Sequence, residues 1–352
     1  MDRLHQRKLD HLLLCATDDV EHGQHRGLFE EVTLVHDALP ERALKDIRTQ
    51  TPFLGHEIAA PLMVTGMTGG PEEAARVNRA LARVCARLGL PFGVGSQRVI
   101  TRDPASLESF RVKDVAPEVI LVGNLGFVQA RELGVDKVVA LVAAIDADYL
   151  AIHLNPAMEL VQGGGEGDHD FRGGYDIIEA LVAALAGRVI VKECGSGLSP
   201  RVVSRLAARG VTAFDVSGSG GTSWTKVEAL RAEGETARRG HRFASWGLPT
   251  AAATALARRA VPQALIISSG GIRDGLDAAK ALALGADLAG LARPVLQSFQ
   301  QAGEEGAEAF LREVIHDLRV ATLLVGCGRT DDLRSAPRVL GPRLQSWLSS
   351  DL

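Results

Sequence analysis

Polar and glycine-rich residues recur in this chain directly after short apolar runs. Met67, Thr68, Gly69 and Gly70 follow PLMVTG from Pro61, Ser96, Gln97 and Arg98 follow PFGVG from Pro91, and Asn124 follows VILVG. His153 and Asn155 end the run from Tyr149, Lys192 and Glu193 end RVIVKE, and SGSGGTSW begins at Ser217. Gly270, Gly271, Ile272 and Arg273 follow ALIISS, and Ala292 and Arg293 follow DLAGL. Turns alone would supply glycine and aspartate, not cations, amides and hydroxyls at one position after another. Two of the strings suit a phosphate. SGGIRDG places a glycine pair after an apolar run and ahead of a helix start near Asp274, so backbone N–H groups and a helix N-terminus can meet an anion. SGSGGTS adds a second glycine-rich loop with hydroxyls at Thr222 and Ser223. Each string alone also reads as a plain turn; the two together point to phosphate binding.

Lys192 ends an apolar strand, where an ammonium is costly unless it faces an anion or an electron-rich ring. An ion pair with Glu193 is the plainer alternative, but adjacent strand residues point to opposite faces. A flavin meets these demands: its phosphate in the glycine loops, its ring bounded by MTGG and Ser96, and Lys192 at the N1/C2 edge. A second anion site is suggested by Arg98, His153 and Asn155, with Arg7 and Lys8 as additions from the N-terminus. Residues 153 and 155 share one strand face and can address one ligand. A solvated basic terminus is the alternative for Arg7 and Lys8, and a satisfied interior histidine is the alternative for His153. Glu159 follows closely, and a carboxylate beside a polyphosphate suggests Mg²⁺ held by one protein oxygen, phosphate oxygens and waters.

Eight apolar runs, starting at Pro61, Pro91, Val119, Tyr149, Arg188, Thr212, Ala264 and Asp287, must carry these residues. Most lie roughly 23 to 40 residues apart, the length of a βα unit. The gap after the sixth is nearer 50 (about twice the shortest spacing) and should hold an inserted loop plus a helix. Segments between them, such as EEAARVNRALARVCARLG and SPRVVSRLAARG, carry apolar residues at helical spacing and end in Gly. Ser199 caps the latter, with Pro200 as its first helical residue. Eight such units predict an α/β fold, a closed (β/α)8 TIM barrel over 61–303 with its active site at the strand C-termini. Residues 1–60 form an N-terminal extension completing the site, with a basic helix over Arg3–Cys15 and a strand over Val32–His36. Residues 304–352 form a C-terminal helical tail, helical to Val325, and the whole is one domain.

Composition agrees. With 39 Lys+Arg against 43 Asp+Glu the formal charge is −4, and 46% of residues are hydrophobic, which excludes a disordered chain and leaves no basic excess for nucleic acid. The four cysteines are scattered, so neither a zinc site nor a disulfide framework is expected. No apolar run approaches a membrane span, and the charged N-terminus is unlike a signal peptide. The expectation is a reduced, cytoplasmic protein without membrane or nucleic-acid partners.

The strings RKLDH, TGMTGG, GSQR, HLNP, VKECGSGLS, DVSGSGGTSW, WGLPT, SGGIRDGLDAAKALALGAD and LARPVL, in this order, resemble the type 2 isopentenyl diphosphate isomerases, a likeness that runs from about Arg7 to about Thr330. The resemblance implies isomerisation of isopentenyl diphosphate to dimethylallyl diphosphate, with reduced FMN as acid and base, NADPH as reductant and Mg²⁺ on the diphosphate. It implies FMN contacts at Met67, Thr68, Gly69, Ser96, Asn124, Lys192, Ser217, Thr222, Gly271, Ile272, Arg273, Ala292 and Arg293. It implies substrate contacts at Arg7, Lys8, Ser96, Gln97, Arg98, His153 and Asn155, and a metal carboxylate at Glu159. It further implies a homo-oligomer (tetramer or octamer) in which the basic N-terminal segment completes a neighbour's site. One departure stands out: the family pattern reads HLNxxQE, and this chain has Met158 in place of the glutamine. Methionine neither transfers a proton nor donates a hydrogen bond. A catalytically impaired or non-catalytic isoprenoid-diphosphate or flavin-binding relative is therefore one alternative. An FMN-dependent 2-hydroxy-acid oxidoreductase is the other, although such enzymes need a histidine where this chain reads SGSGGTSW.

Overall fold

Every one of the eight apolar runs becomes a barrel strand. In the computed structural model, which describes residues 10, 11, 13–16, 19–23, 26–70, 72–163 and 167–352, a closed parallel barrel is built from β1 (Leu62–Val64), β2 (Phe92–Gly93), β3 (Leu121–Gly126) and β4 (Tyr149–Leu154). It continues with β5 (Val189–Glu193), β6 (Ala213–Asp215), β7 (Leu265–Ser269) and β8 (Leu288–Leu291), which pairs with β1. Each strand is buried on both faces, the reason these runs are continuously apolar rather than alternating.

The connections mostly follow their sequence signals. Helix Glu72–Leu88 carries Val77, Leu81, Val84 and Cys85 on one buried stripe. Helix Pro200–Ala207 starts as expected: the Ser199 hydroxyl accepts from the Val202 N–H at 3.4 Å. Asp274 caps helix Gly275–Ala283 by accepting from the Asp277 N–H at 2.8 Å. The long sixth connection holds three helices, Trp224–Arg231, Gly234–Arg242 and Thr250–Ala260, rather than the single one expected. The second connection holds no α-helix, only the short 3₁₀ turns Gln97–Thr101, Pro104–Ser109 and Val112–Asp114. No apolar stripe at helical spacing runs through that stretch, and Asp103 and Pro104 interrupt it.

The terminal regions close the barrel rather than trail from it. Strand Val32–Leu34, within the expected 32–36, pairs antiparallel with Arg338–Leu340 of the C-terminal tail. The hairpin Thr51–Phe53/His56–Ile58 drops Phe53 and Ile58 into the barrel floor against Met63, Val122, Ile190 and Ile267. Burying each of these side chains contributes about 1.5–3 kcal/mol. Two helices follow β8, over 293–301 and 304–324, separated by non-helical backbone at Ala302 (φ −141°) and Gly303 (φ 64°), so the second begins at the expected 304 and the first is an addition to it. Of the helix expected over Arg3–Cys15, residues 10, 11 and 13–15 are helical; the rest lies outside the described residues. No helix among the described residues is long and apolar enough to cross a membrane.

Candidate functional site

A cavity of about 230 Å³ opens at the C-terminal ends of the strands, where a parallel barrel leaves strand-end side chains and βα loops unpacked by the core. Met67, Thr68, Ser96, Arg98, Asn124, His153, Asn155, Met158, Glu159 and Lys192 all line it. So do Ser217, Thr222, Gly271, Ile272, Arg273, Ala292 and Arg293. Residues drawn from all eight strand ends therefore face one space.

Two sequence-derived positions do not. Gln97 is 1% exposed, with its amide Nε2 donating to the Leu141 carbonyl at 2.9 Å and its Oε1 accepting from the Asn124 N–H at 3.1 Å. It braces β3 from behind because the 3₁₀ turn after Ser96 rotates it away from Arg98, which does line the cavity. Gly69 backs onto Phe110, whose ring a Cβ would overlap, so its role is close packing. Arg7 and Lys8 lie outside the described residues.

At one end of the cavity the loops after β6 and β7 interlock. Gly271 has φ +89°, and a Cβ there would stand 2.5 Å from the Gly220 carbonyl; a Cβ on Gly221 would stand 2.6 Å from the Gly271 nitrogen. Only glycine permits this approach, which brings the backbone of Gly221, Gly270 and Gly271 to the cavity wall ahead of helix Gly275–Ala283. The Arg273 and Arg293 guanidinium groups, both among the expected FMN contacts, line this end of the cavity and meet the Glu21 carboxylate, each at 2.6 Å. Glu21 also lines the cavity.

On the floor, Lys192 is 8% exposed and donates from Nζ to the Glu193 backbone carbonyl at 2.6 Å. The Glu193 side chain points the other way, accepting from the N–H groups of Cys194 (2.6 Å), Ser196 and Gly197 (3.2 Å). Burial pushes the Glu193 carboxyl up to about 7, against the pull of those N–H groups. Burial also disfavours the Lys192 ammonium, yet the surrounding Cys194, Asp215 and Glu193 outweigh it and hold the proton above the ordinary lysine value. A charged lysine with its own carboxylate neighbour turned away is thus presented to the cavity.

The opposite end is the polar cluster. His153 Nδ1 meets Asn124 Oδ1 at 2.8 Å, and burial, then Lys192 and Arg98, push the imidazole down to about 3, so it is neutral. The Asn155 amide donates to Glu159 Oε1 at 2.8 Å, and the Asp168 N–H donates to Glu159 Oε2 at 2.9 Å. Burial raises the Glu159 carboxyl, against the pull of the Asp168 N–H and the Asn155 amide. Met158 lies in the same wall, its sulfur 3.7 Å from the Asn155 amide nitrogen.

Glu21 and Gln129, which the sequence reading missed, also line the cavity, as do His11 and Trp224, the last residues of the RKLDH and SGSGGTSW strings, and Gln162, which four residues past Met158 is a sequence candidate to replace the absent glutamine. His11 meets Glu228 at 2.8 Å, and Gln162 donates to the same carboxylate at 3.5 Å. Neither Glu21 nor Gln129 follows a barrel strand directly, so no strand-end signal marks them; Glu21 stands in an acidic stretch that reads as surface.

The family model of the FMN-dependent dehydrogenases matches residues 1–106 and 163–339. The isopentenyl-diphosphate delta-isomerase of Metallosphaera sedula is 43% identical over 98% of this chain and 94% of its own. That of Synechococcus sp. is 45% identical over 96% of this chain and 97% of its own. Among solved structures, a mandelate oxidase carrying an FMN monooxide adduct superposes with a TM-score of 0.66 at 19% identity, covering 93% of this chain and 95% of that one. The lactate oxidase of Pediococcus acidilactici gives 0.68 at 17% identity, covering 90% and 85%; at these identities the likeness shows the barrel fold alone. Full-length identity with the curated relatives, on a barrel whose strand ends converge on one cavity, places this chain in the isopentenyl-diphosphate delta-isomerase family of FMN-dependent dehydrogenase-like barrels.

Proposed function

We propose that the protein isomerises isopentenyl diphosphate to dimethylallyl diphosphate in isoprenoid biosynthesis, using reduced FMN, with Mg²⁺ on the diphosphate and NADPH as reductant. The observation that carries this reading is the order of features along the cavity. A glycine cradle lies at one end, a buried charged lysine on the floor, and a polar cluster at the other. The cradle around Gly221 and Gly271 is one a Cβ would fill, which fits a phosphate monoester held by backbone N–H groups. Lys192, Met67, Thr68, Ser96, Asn124, Ser217 and Thr222, which line the cavity between the two ends, would hold the flavin ring, with Lys192 supplying a positive charge for its electron-rich edge. Bound there, reduced FMN would supply a proton donor and acceptor for moving the double bond.

The chain's own residues bind and orient. Arg98, His153 and Asn155 receive the diphosphate, with Arg7 and Lys8 proposed to join from the N-terminal extension over 1–60, from the same or a neighbouring subunit of a homo-oligomer. Glu159 offers a carboxylate for Mg²⁺. Among the described residues no group of three or more His, Cys, Asp or Glu could hold a metal, in keeping with a cation held largely by diphosphate oxygens and water. Anchoring the diphosphate fixes the alkene over the floor, a contribution of orientation. We place the protein in the cytoplasm. An anaerobic assay with pre-reduced FMN should convert isopentenyl diphosphate to dimethylallyl diphosphate; a folded, FMN-loaded protein without activity would refute the reading.

Met158 favours a second reading, a relative that binds the same ligands but turns over slowly. A hydroxy-acid oxidase is disfavoured because the loop after β6 has no histidine; bleaching of bound FMN by a 2-hydroxy acid would revive it.

A further inference from the structure

Two βα loops meet on one carboxylate that neither supplies, and a third pairs with the backbone of the segment that carries it. Residues 19–23 lie against the loop after β6: Glu21 bridges Thr222, the His22 N–H donates to the Gly221 carbonyl at 3.0 Å, and the Ser223 N–H donates to the Val20 carbonyl at 2.8 Å. From this segment Glu21 extends one carboxylate oxygen to Arg273, after β7, and the other to Arg293, after β8. Arg273 carries the tie further, donating to the carbonyls of Gly271 (3.0 Å) and Gly220 (3.2 Å). The Arg293 Nε donates to the Cys15 carbonyl at 2.8 Å. Lys226 fastens the other side of the segment through Asp19 (3.1 Å) and the Glu21 carbonyl (3.4 Å).

We propose that Glu21 is a positioning residue for the phosphate end of the cavity, holding the loops after β6, β7 and β8 in register so that their backbone N–H groups can receive a phosphate monoester. The proposal rests on reading the cavity as an FMN site. Two effects oppose each other here. A carboxylate near a phosphate dianion repels it, so charge alone predicts tighter FMN binding once Glu21 is neutralised. Organisation predicts the reverse, since two guanidinium groups freed from their shared partner repel each other and release the loops they hold. Organisation wins because the Glu21 side chain is 35% exposed, so water screens its charge. The two charge-assisted bonds at 2.6 Å that fix the loops do not depend on that longer-range field.

The test titrates apo-protein with FMN and, separately, with riboflavin, which lacks the phosphate, following flavin fluorescence. Glu21→Gln removes the charge; Glu21→Asp keeps it but is one methylene too short to span both arginines. Both variants should bind FMN on the order of tenfold more weakly, with riboflavin affinity unchanged. Amide exchange over 218–223 and 270–273 should be faster in the apo forms, while their thermal midpoints stay near that of the native chain. Native FMN affinity or tighter binding in Glu21→Gln overturns the proposal alone. A native protein that binds no FMN overturns the cofactor reading and the proposal with it.

Discussion

At the scale of single residues, His153 shows how context sets a group's chemistry. Its imidazole is held neutral by burial and by two nearby cations, down to about 3. The unfolded chain takes up that proton below about 6.5 while the folded one does not. The stability His153 contributes is therefore complete above about 6.5 and lost as pH falls toward 3. The thermal midpoint of the apo-protein should decline over that window, and His153→Gln should decline less; parallel profiles would show that other groups dominate. Met158 makes the opposite case, a residue whose type rather than environment is informative. The cavity wall at that point offers a thioether beside the amide of Asn155 and the buried carboxylate of Glu159. Met158→Gln should raise the isomerisation rate on the order of tenfold if an amide there assists proton transfer. An unchanged rate would show that the wall contributes no proton handling.

Elements decide which of these residues meet. The strand ends were legible because apolar run, polar end and helix recur in order, and a residue two positions past a strand must stand at the barrel mouth. The glycine loops were legible as loops; their interlocking was not, because Gly220 and Gly271 are brought together only when β6 and β7 pair. Gly271→Ala would force a side chain into left-handed backbone (φ +89°) with its Cβ 2.5 Å from the Gly220 carbonyl. The expected outcome is at least about a tenfold loss of FMN affinity in a fluorescence titration, with the barrel still folded by circular dichroism. Gln97 shows the limit of strand-end logic: its neighbours Ser96 and Arg98 face the cavity, but the 3₁₀ turn that starts at Gln97 sends its amide into the wall.

Across the whole molecule, the flanking regions are part of the barrel's own packing. The ends of the chain pair through Val32–Leu34 and Arg338–Leu340, and the hairpin over 51–58 plugs the floor. The helix over 304–324 lays Leu311, Val314 and Leu318 into the main core. Leu311, fully buried, is a test of that unity: Leu311→Ala should cost about 3 kcal/mol and lower the midpoint of a single denaturation transition. Two separate transitions would show that the C-terminal helix folds apart from the barrel.

The amino-acid sequence by itself determined the barrel, the order of its strands and most of the residues at its mouth. Those features follow from local periodicity and from position along a strand. Only the tertiary structure decided which charges neutralise which. Arg273 and Arg293 carry no sign of a carboxylate partner in the strings around them, and their partner Glu21 lies 252 and 272 positions away. Coulomb and hydrogen-bond energies depend on distance in space, which chain closure sets and sequence spacing does not.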